Sequence, residues 1–577
     1  MNARSLARPA IPERARSELR QAVGLCRGAL LAAALFSLCI NVLLLASPVY
    51  MLQVYDRVLR SRSESTLAML TLITVGLLLV VGVLELVRSR VLVRVGARLE
   101  QALGGRLFAA VCERQLSAPG SHRTQPLNDL ATIRQFVAGN GLSILFDLPW
   151  TPIFLAFLYL VHPALGLIAL FGALTIFALT LASELLTRRR LAQAGAEQIA
   201  SLAFTEASLR NAEVLGAMGM LSAIRRRWLE RQRRALALQS EAGDMAGTLT
   251  AASKFARMAL QTAMLGGGAL LAIEGHISPG MMIAASIVGG KALAPIELTV
   301  ANWSGLVNAR LAYRRLDALL ASAPPRPEGM ELPPPKGRIT FEGVVAVPPG
   351  GTTPTIRGIS FTIEAGETVG IVGPSAAGKS TLARLITGVW RPCAGTVRID
   401  GADVQAWPRE RLGPSIGYLP QDIELFEGTV AENIARFGEV DGVKVVEAAR
   451  YAGVHDMILR LPAGYDTPVG EAGAGLSGGQ KQRLALARAL YGTPAICVFD
   501  EPNSNLDEEG EACLIMAIRR LRQEGRTVVV IAHRPSVLAH ADRVMVIQDG
   551  ALVMFGSRAE VLARITRPTI AAKSGVA

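Results

Sequence analysis

The sequence predicts a chain in two parts: a polytopic α-helical membrane domain of six spans, followed by an α/β domain of the P-loop kind. Three observations carry this. Long apolar runs fill the first half of the 577 residues and are absent from the second. Hydrophobic residues make up 51% of the chain and charged ones only 19%, a balance skewed away from that of a soluble protein. Finally, Gly373-Pro374-Ser375-Ala376-Ala377-Gly378-Lys379-Ser380 fits G-x-x-x-x-G-K-[ST] and stands between a β-branched run, Thr368–Val372, and a helical pattern from Thr381 to Ile386.

A basic leader, residues 1–24, comes first and carries Arg4, Arg8, Arg14, Arg16 and Arg20. The membrane domain is expected over 25–320, with spans near Gly28–Tyr50, Thr66–Val87, Leu142–Val161, Ala164–Leu181, Phe255–Ile273 and Met281–Val300. Each is close to the ~20 residues that cross the hydrocarbon as a helix. The third and fourth are parted by little more than His162 and Pro163, which predicts a tight hairpin. The segment after the second span carries Arg88, Arg90, Arg94, Arg98, Arg106 and Arg114, and the one after the fourth carries Arg188–Arg190 and Arg225–Arg227. Both read as helical extensions of the spans. Basic residues accumulate on the cytoplasmic side, so both termini and these two segments are expected there. The short turn with Arg57, Arg60 and Arg62 is a local exception. The first span has too long an apolar core, and no small-x-small site after it, to be a cleaved signal peptide.

The same logic accounts for the net charge of +13. No basic stretch is interleaved with aromatics, as a nucleic-acid stacking surface would need, so nucleic acid is not an expected partner. The six cysteines are scattered without C-x-x-C spacing and read as small apolar residues, not as a disulfide frame or zinc site. Acidic and basic residues inside spans are functional candidates by default. Asp147, Lys291 and Glu297 qualify. Lys291, roughly 18 Å along its helix from the outer end, either lines a polypeptide path, pairs with Glu297, or snorkels to the cytoplasmic surface.

A Pro-rich stretch, 321–337, reads as a semi-rigid linker, and β-branched strands alternate with helices over 338–565, before a tail at 566–577. In the P-loop, backbone N–H groups and the helix N-terminus converge on phosphate oxygens. Lys379 can reach the β- and γ-phosphates of a nucleotide and Ser380 can ligate Mg²⁺, with Thr381 next to it. A second apolar run, Ala495–Phe499, ends in Asp500-Glu501. An Asp at such a strand tip can hold Mg²⁺, and the following Glu can polarise an attacking water. Between the two motifs, Leu476-Ser477-Gly478-Gly479-Gln480 opens a helix and offers another anion cradle.

LSGGQ is the signature of ABC-transporter ATPase domains, and the stretch from Arg338 to about Leu562 resembles one. Gln421 matches the family's Q-loop, Glu471 the exporter X-loop, Ser504-Asn505-Leu506-Asp507 the D-loop, and His533 the switch histidine. The resemblance implies that Lys379 and Ser380 bind phosphate and Mg²⁺, that Asp500 and Gln421 help hold metal and water, that Glu501 activates the water, and that His533 contacts the γ-phosphate of ATP. It also implies that Ser477, Gly479 and Gln480 act on the nucleotide held by a second copy, hence a homodimer with two shared sites. One position departs from the family: the aromatic that stacks on adenine falls at Pro348 or Pro349, and neither Tyr nor Trp stands there.

The membrane half resembles the type I secretion transporters of Gram-negative bacteria, protease-exporter branch. Pro48–Val58, Phe146–Pro152, and Arg210–Val214 with Ala217–Met220 and Trp228 carry the likeness. It implies a multi-pass inner-membrane protein with a cytoplasmic ATPase domain. The implied function is export of an unfolded protease, lipase or repeat protein with a C-terminal signal, alongside a periplasmic adaptor and an outer-membrane channel protein. With about two dozen residues before the first span, no cysteine-peptidase domain or inactive counterpart is expected, and Cys26 reads as structural. An exporter of lipid, drug or peptide, and a regulatory membrane ATPase without transport, are the alternatives.

Overall fold

A helix rises about 1.5 Å per residue, so about 20 residues cross the roughly 30 Å hydrocarbon. Three of the helices are more than twice that long. The computed structural model describes residues 18–117, 125–324, 332–470, 473, 475–532 and 534–565. These fall into two compact units, the first ending at 324. The leader up to residue 17, much of the Pro-rich stretch, the tail, Glu471 and His533 lie outside the described residues.

Six apolar helices form the first unit: Arg27–Ser61, Glu64–Ser117, Asn140–Val161, Pro163–Arg210, Leu221–Ile273 and Pro279–Ala301. Each contains one expected span. The second, fourth and fifth run 54, 48 and 53 residues, so the basic segments do continue the spans as helix. The hairpin between the third and fourth turns at His162, whose extended backbone (φ −160°, ψ 130°) precedes Pro163 and whose Nδ1 accepts from the Ala164 N–H.

The first span is not a single rod. Helices Arg27–Leu43 and Ala46–Gln53 are followed by a π-turn at Val54–Val58, and Arg62 ends the element in the left-handed region (φ 52°). The π-turn carries Asp56 to the start of the sixth span, where it accepts from Ser278 Oγ and, at 3.0 Å, from the Gly280 N–H. A Cβ on Gly280 would lie 2.7 Å from both Asp56 Oδ1 and the Leu52 carbonyl oxygen, so only glycine fits. Between the fourth and fifth spans, the Arg210–Met220 motif forms a tip. A short helix, Ala212–Ala217, leads to Gly219 (φ 64°), and Val214, Met218 and Leu221 are exposed there.

Asp147 is held inside the membrane unit. Asn41 Nδ2 donates to it at 2.9 Å and Arg88 reaches it at 3.1 Å, while Arg88 also donates to Ser37 Oγ. Glu297 does not pair with Lys291. Its partner is Arg257 on the fifth span, at 2.6 Å. Six residues along one helix turn about 240°, so Lys291 and Glu297 cannot face each other. Lys291 is half-buried, with no hydrogen bond or ion pair to a described residue.

The second unit has twelve described strands: β1 (Ile339–Ala346), β2 (Ile356–Ile363), β3 (Thr368–Val372), β4 (Ala394–Ile399), β5 (Ala402–Asp403), β6 (Ile416–Leu419), β7 (Gly428–Thr429), β8 (Pro468–Val469), β9 (Ile496–Asp500), β10 (Thr527–Ile531), β11 (Arg543–Gln548) and β12 (Ala551–Ser557). A six-stranded sheet has the order β12-β11-β3-β10-β9-β6 and is parallel except for β12. β3, β9 and β10 are buried almost throughout, as parallel strands covered on both faces must be. An antiparallel sheet, β2-β1-β4-β5, stands beside it. Two large apolar cores and a small cluster around Val544 and Val561 result. Of the large ones, one joins the P-loop helix to both sheets through Phe341, Leu382, Ile386 and Ile531. The other packs the signature helix through Leu484 and Leu490 against Val454, Phe499 and Leu521.

Candidate nucleotide site

Open α/β sheets bind ligands beyond the carboxyl ends of their strands, and here β3, β9 and β10 bring three loops to one edge. After β3 the chain passes over Gly373–Gly378 into the helix Lys379–Ile386. Two glycines shape this loop. A Cβ on Gly373 would sit 2.2 Å from the Ile547 carbonyl oxygen, and Gly378 (φ 102°) would collide with the Thr355 carbonyl at 2.7 Å. Ala376 also takes a left-handed backbone (φ 64°), a conformation a non-glycine residue adopts only under constraint. Pro374, Ser375 and Ala376 form an exposed crest, and Ala377 is buried beneath it. Lys379 is only 6% exposed, and its Nζ donates to the carbonyls of Gly373 (2.8 Å) and Pro374 (2.9 Å), reaching back across the loop. Burial lowers its pKa, against the opposing pull of Glu501 and Asp500. Thr381, buried behind the loop, contacts the Thr355 hydroxyl at 3.3 Å.

Asp500 closes β9 at 1% exposure, and neither of its carboxylate oxygens has a hydrogen-bond partner of normal geometry. Burial pushes this carboxyl above the usual carboxylate range, and Glu501 adds to that, while Ser380, Arg384 and Lys379 pull it back in part. A buried carboxylate costs several kcal/mol unless a cation or donors compensate it. The orphaned oxygens of Asp500, near Ser380 at the helix N-terminus, fit a divalent cation. Glu501 follows in the left-handed region (φ 50°), pinned by its N–H to the Ile531 carbonyl at 3.0 Å. Gln421, just beyond β6, donates from Nε2 to Glu501 Oε2 at 3.1 Å. Lys379, Ser380, Asp500, Glu501 and Gln421 are therefore brought together.

Among the described residues, no hydrogen bond joins Ser477, Gly479 or Gln480 to this group. Ser477 caps the helix Gly478–Leu490 in a reciprocal box. Its Oγ accepts from the Gln480 N–H at 3.2 Å, and its own N–H donates to Gln480 Oε1 at 2.9 Å. Gly479 is pressed close, with a Cβ there 3.1 Å from the Asn505 carbonyl oxygen. This helix belongs to the second core, whereas the P-loop helix belongs to the first.

Sequence reasoning missed Gln482, which is 1% exposed. Its side chain donates to the Pro502 carbonyl and accepts from the Asn505 N–H at 3.0 Å, tying the signature helix to the loop after Glu501. Arg483 reinforces the tie through Asp507, the N-cap of the helix Glu508–Gln523. Nothing in the sequence of the helix Gly478–Leu490 sets Gln482 apart from its polar neighbours Gln480, Lys481 and Arg483. The loop after β1 carries Pro348 and Pro349 and no aromatic residue, as expected.

The family model for the ABC transporter matches residues 356–504, and that for the ABC transporter transmembrane region matches 30–288. The chain is 44% identical, over 94% of its own length and 94% of the relative's, to the type I secretion system ATP-binding protein PrsD of Rhizobium meliloti (strain 1021). It is 32% identical to the toxin RTX-I translocation ATP-binding protein of Actinobacillus pleuropneumoniae, over 91% of this chain and 75% of that one. A solved bacterial Atm1-family ABC exporter with ATP bound superposes with a TM-score of 0.81 at 26% identity, covering 94% of this chain and 97% of that one.

Proposed function

The chain belongs to the ABC transporter family, and from that premise we propose that it is the ATP-driven protein exporter of a type I secretion system. The observation that carries this reading is the likeness to PrsD, which spans both units and therefore includes the part that meets the cargo. The intact constellation of Lys379, Asp500, Glu501 and Gln421 supplies the engine.

In this reading Gly373–Ser380 and Thr381 cradle the phosphates of ATP and Lys379 turns from its loop carbonyls to the γ-phosphate. Ser380, Asp500 and Gln421 would hold Mg²⁺, which supplies charge neutralisation on the phosphates. Glu501 takes the proton of the attacking water, with Gln421 fixing its carboxylate. His533 contacts the γ-phosphate. Ser477, Gly479 and Gln480 serve the nucleotide of a second copy, as the resemblance to ABC-transporter ATPase domains implies. The functional unit is then a homodimer with two shared sites.

The protein sits in the bacterial inner membrane with leader and ATPase unit in the cytoplasm, in keeping with the basic extensions of its long helices. It works with a periplasmic adaptor and an outer-membrane channel protein. The cargo is an unfolded polypeptide of the protease, lipase or RTX type. Domain limits at 24, 320, 337 and 565 follow from the same reading.

Deleting the gene and comparing the secreted proteins tests this directly. One or a few large polypeptides should vanish from the medium and return with the intact gene but not with Glu501→Gln. An unchanged set of secreted proteins, with altered lipid or drug handling, would overturn protein export.

A further inference from the structure

One cavity of the membrane unit has no place in the mechanism above. It measures about 590 Å³ and lies between the third, fourth and sixth spans and the helix Trp303–Ser322. Taking a methylene as about as large as a water's ~30 Å³ share of the liquid, it holds roughly twenty such groups. Leu148, Phe177, Leu181, Ile296 and Leu306 line it. Three hydroxyls also face it, but each already donates to a carbonyl: Thr151 to Ala292, Thr180 to Ile176 and Thr299 to Pro295. Such a wall leaves the N–H and C=O groups of a peptide without partners, which costs several kcal/mol for each group. An acyl chain makes no such demand.

Depth and charge select the rest of the molecule. From the outer end of the fourth span, Phe177 and Leu181 lie about 21 and 27 Å along the helix, in the inner half of the ~30 Å hydrocarbon. Trp303 is about 36 Å along the line of the sixth span, at the depth where tryptophans anchor to the interface. Its indole N–H is buried and has no acceptor. Beyond it, Arg310 and Arg314 border the same cavity one helical turn apart, both exposed. Helical side chains lean toward the N-terminus, which brings both guanidinium groups back toward the membrane surface. Neither makes an ion pair with a described residue, whereas Arg315 is engaged by Asp129 at 2.7 Å.

We propose that this cavity binds one anionic phospholipid of the cytoplasmic leaflet, its acyl chain between the three spans and its phosphate on Arg310 and Arg314. The proposal rests on the orientation given above, and not on the nature of the cargo.

The test uses the purified full-length protein in nanodiscs and phosphatidylglycerol carrying a photoactivatable diazirine on its acyl chain. Label is expected on peptides containing Phe177 or Trp303, displaced by unlabelled phosphatidylglycerol and not by phosphatidylcholine. The double variant Arg310→Gln/Arg314→Gln should lower labelling roughly 30-fold, at about a fivefold loss for each basic residue near an anionic surface. The Arg310→Lys/Arg314→Lys pair should retain it, which separates loss of charge from loss of fold. Ile296→Trp, which fills the cavity, should abolish labelling by either lipid. Equal labelling by the two lipids, a double variant that labels like the parent, or label absent from the cavity because a second copy or a co-purified polypeptide covers it, would each overturn the site. Reaction of Arg310→Cys with a membrane-impermeant thiol reagent from outside intact cells would overturn the orientation and leave the cavity's lipid chemistry to stand on the labelling.

Discussion

Asp147 and Asp500 are both carboxylates removed from bulk water, and the two units treat them in opposite ways. In the membrane unit, Asp147 has a cation in Arg88 and a donor in Asn41, and Arg88 is satisfied in turn by Ser37. In the nucleotide-binding unit, Asp500 ends a buried strand with both oxygens unpartnered. The first charge is compensated within the chain, so its work is to join the first three spans. The second is compensated only in part, by Ser380, Arg384 and Lys379, and burial together with Glu501 still holds its carboxyl above the usual range. A buried charge with all its partners marks structure, and one without them marks a place kept for something that arrives.

The sharpest way to break this contrast is beside Asp500. Glu501→Gln should lower ATP hydrolysis by roughly 10²- to 10⁴-fold while nucleotide binding persists; turnover near that of the parent would remove Glu501 from the role of base. Next in size is a complementation between copies. A dimer mixing a Lys379→Ala chain with a Ser477→Arg chain keeps one intact site if sites are shared, and should hydrolyse ATP at roughly half the parental rate at most. Complete inactivity of the purified mixed dimer would place P-loop and signature in one chain.

The third experiment measures the contrast itself. Arg88→Ala leaves the partly buried Asp147 without its cation and should destabilise the protein by about 1.5–3 kcal/mol in thermal unfolding. Asp500→Asn should abolish the Mg²⁺ dependence of nucleotide binding and leave the melting temperature of the nucleotide-free protein unchanged or raised. A melting point that falls for Asp500→Asn as it does for Arg88→Ala would erase the difference. The smallest effect belongs to the outer latch, where Asp56→Asn weakens charge-assisted hydrogen bonds to Ser278 and Gly280 and should cost about 1–3 kcal/mol.

Much of the architecture was legible because its signals are local. Apolar runs of membrane-spanning length located all six spans, and the basic segments, helical in pattern, became the helical extensions. The P-loop was legible because its glycines answer to steric demands that only glycine meets. Non-local contacts were not legible. Nothing at Val54–Val58 announces a π-turn, since no Gly or Pro stands there, and its evident tertiary tie is the reach of Asp56 to Ser278. Arg88 and Asp147 are 59 residues apart and share no pattern. Of the three readings open for Lys291, pairing with Glu297 fails on helix geometry, and Arg257 takes the carboxylate from another span. Gln482 was passed over because a buried amide looks, in sequence, like any polar residue of an amphipathic helix.

The reciprocal capping box of Ser477 and Gln480 has a thermodynamic consequence. Its hydroxyl oxygen accepts from the backbone, so the rotor is already held while its proton stays free to donate outward. Side-chain ordering on association ordinarily costs about 0.5–1.5 kcal/mol for each immobilised group. Here that ordering is complete before any partner or nucleotide arrives. In the proposed dimer, the free energy released when ATP bridges two copies would therefore not be consumed in organising the signature, and a larger fraction of it would remain available as mechanical work.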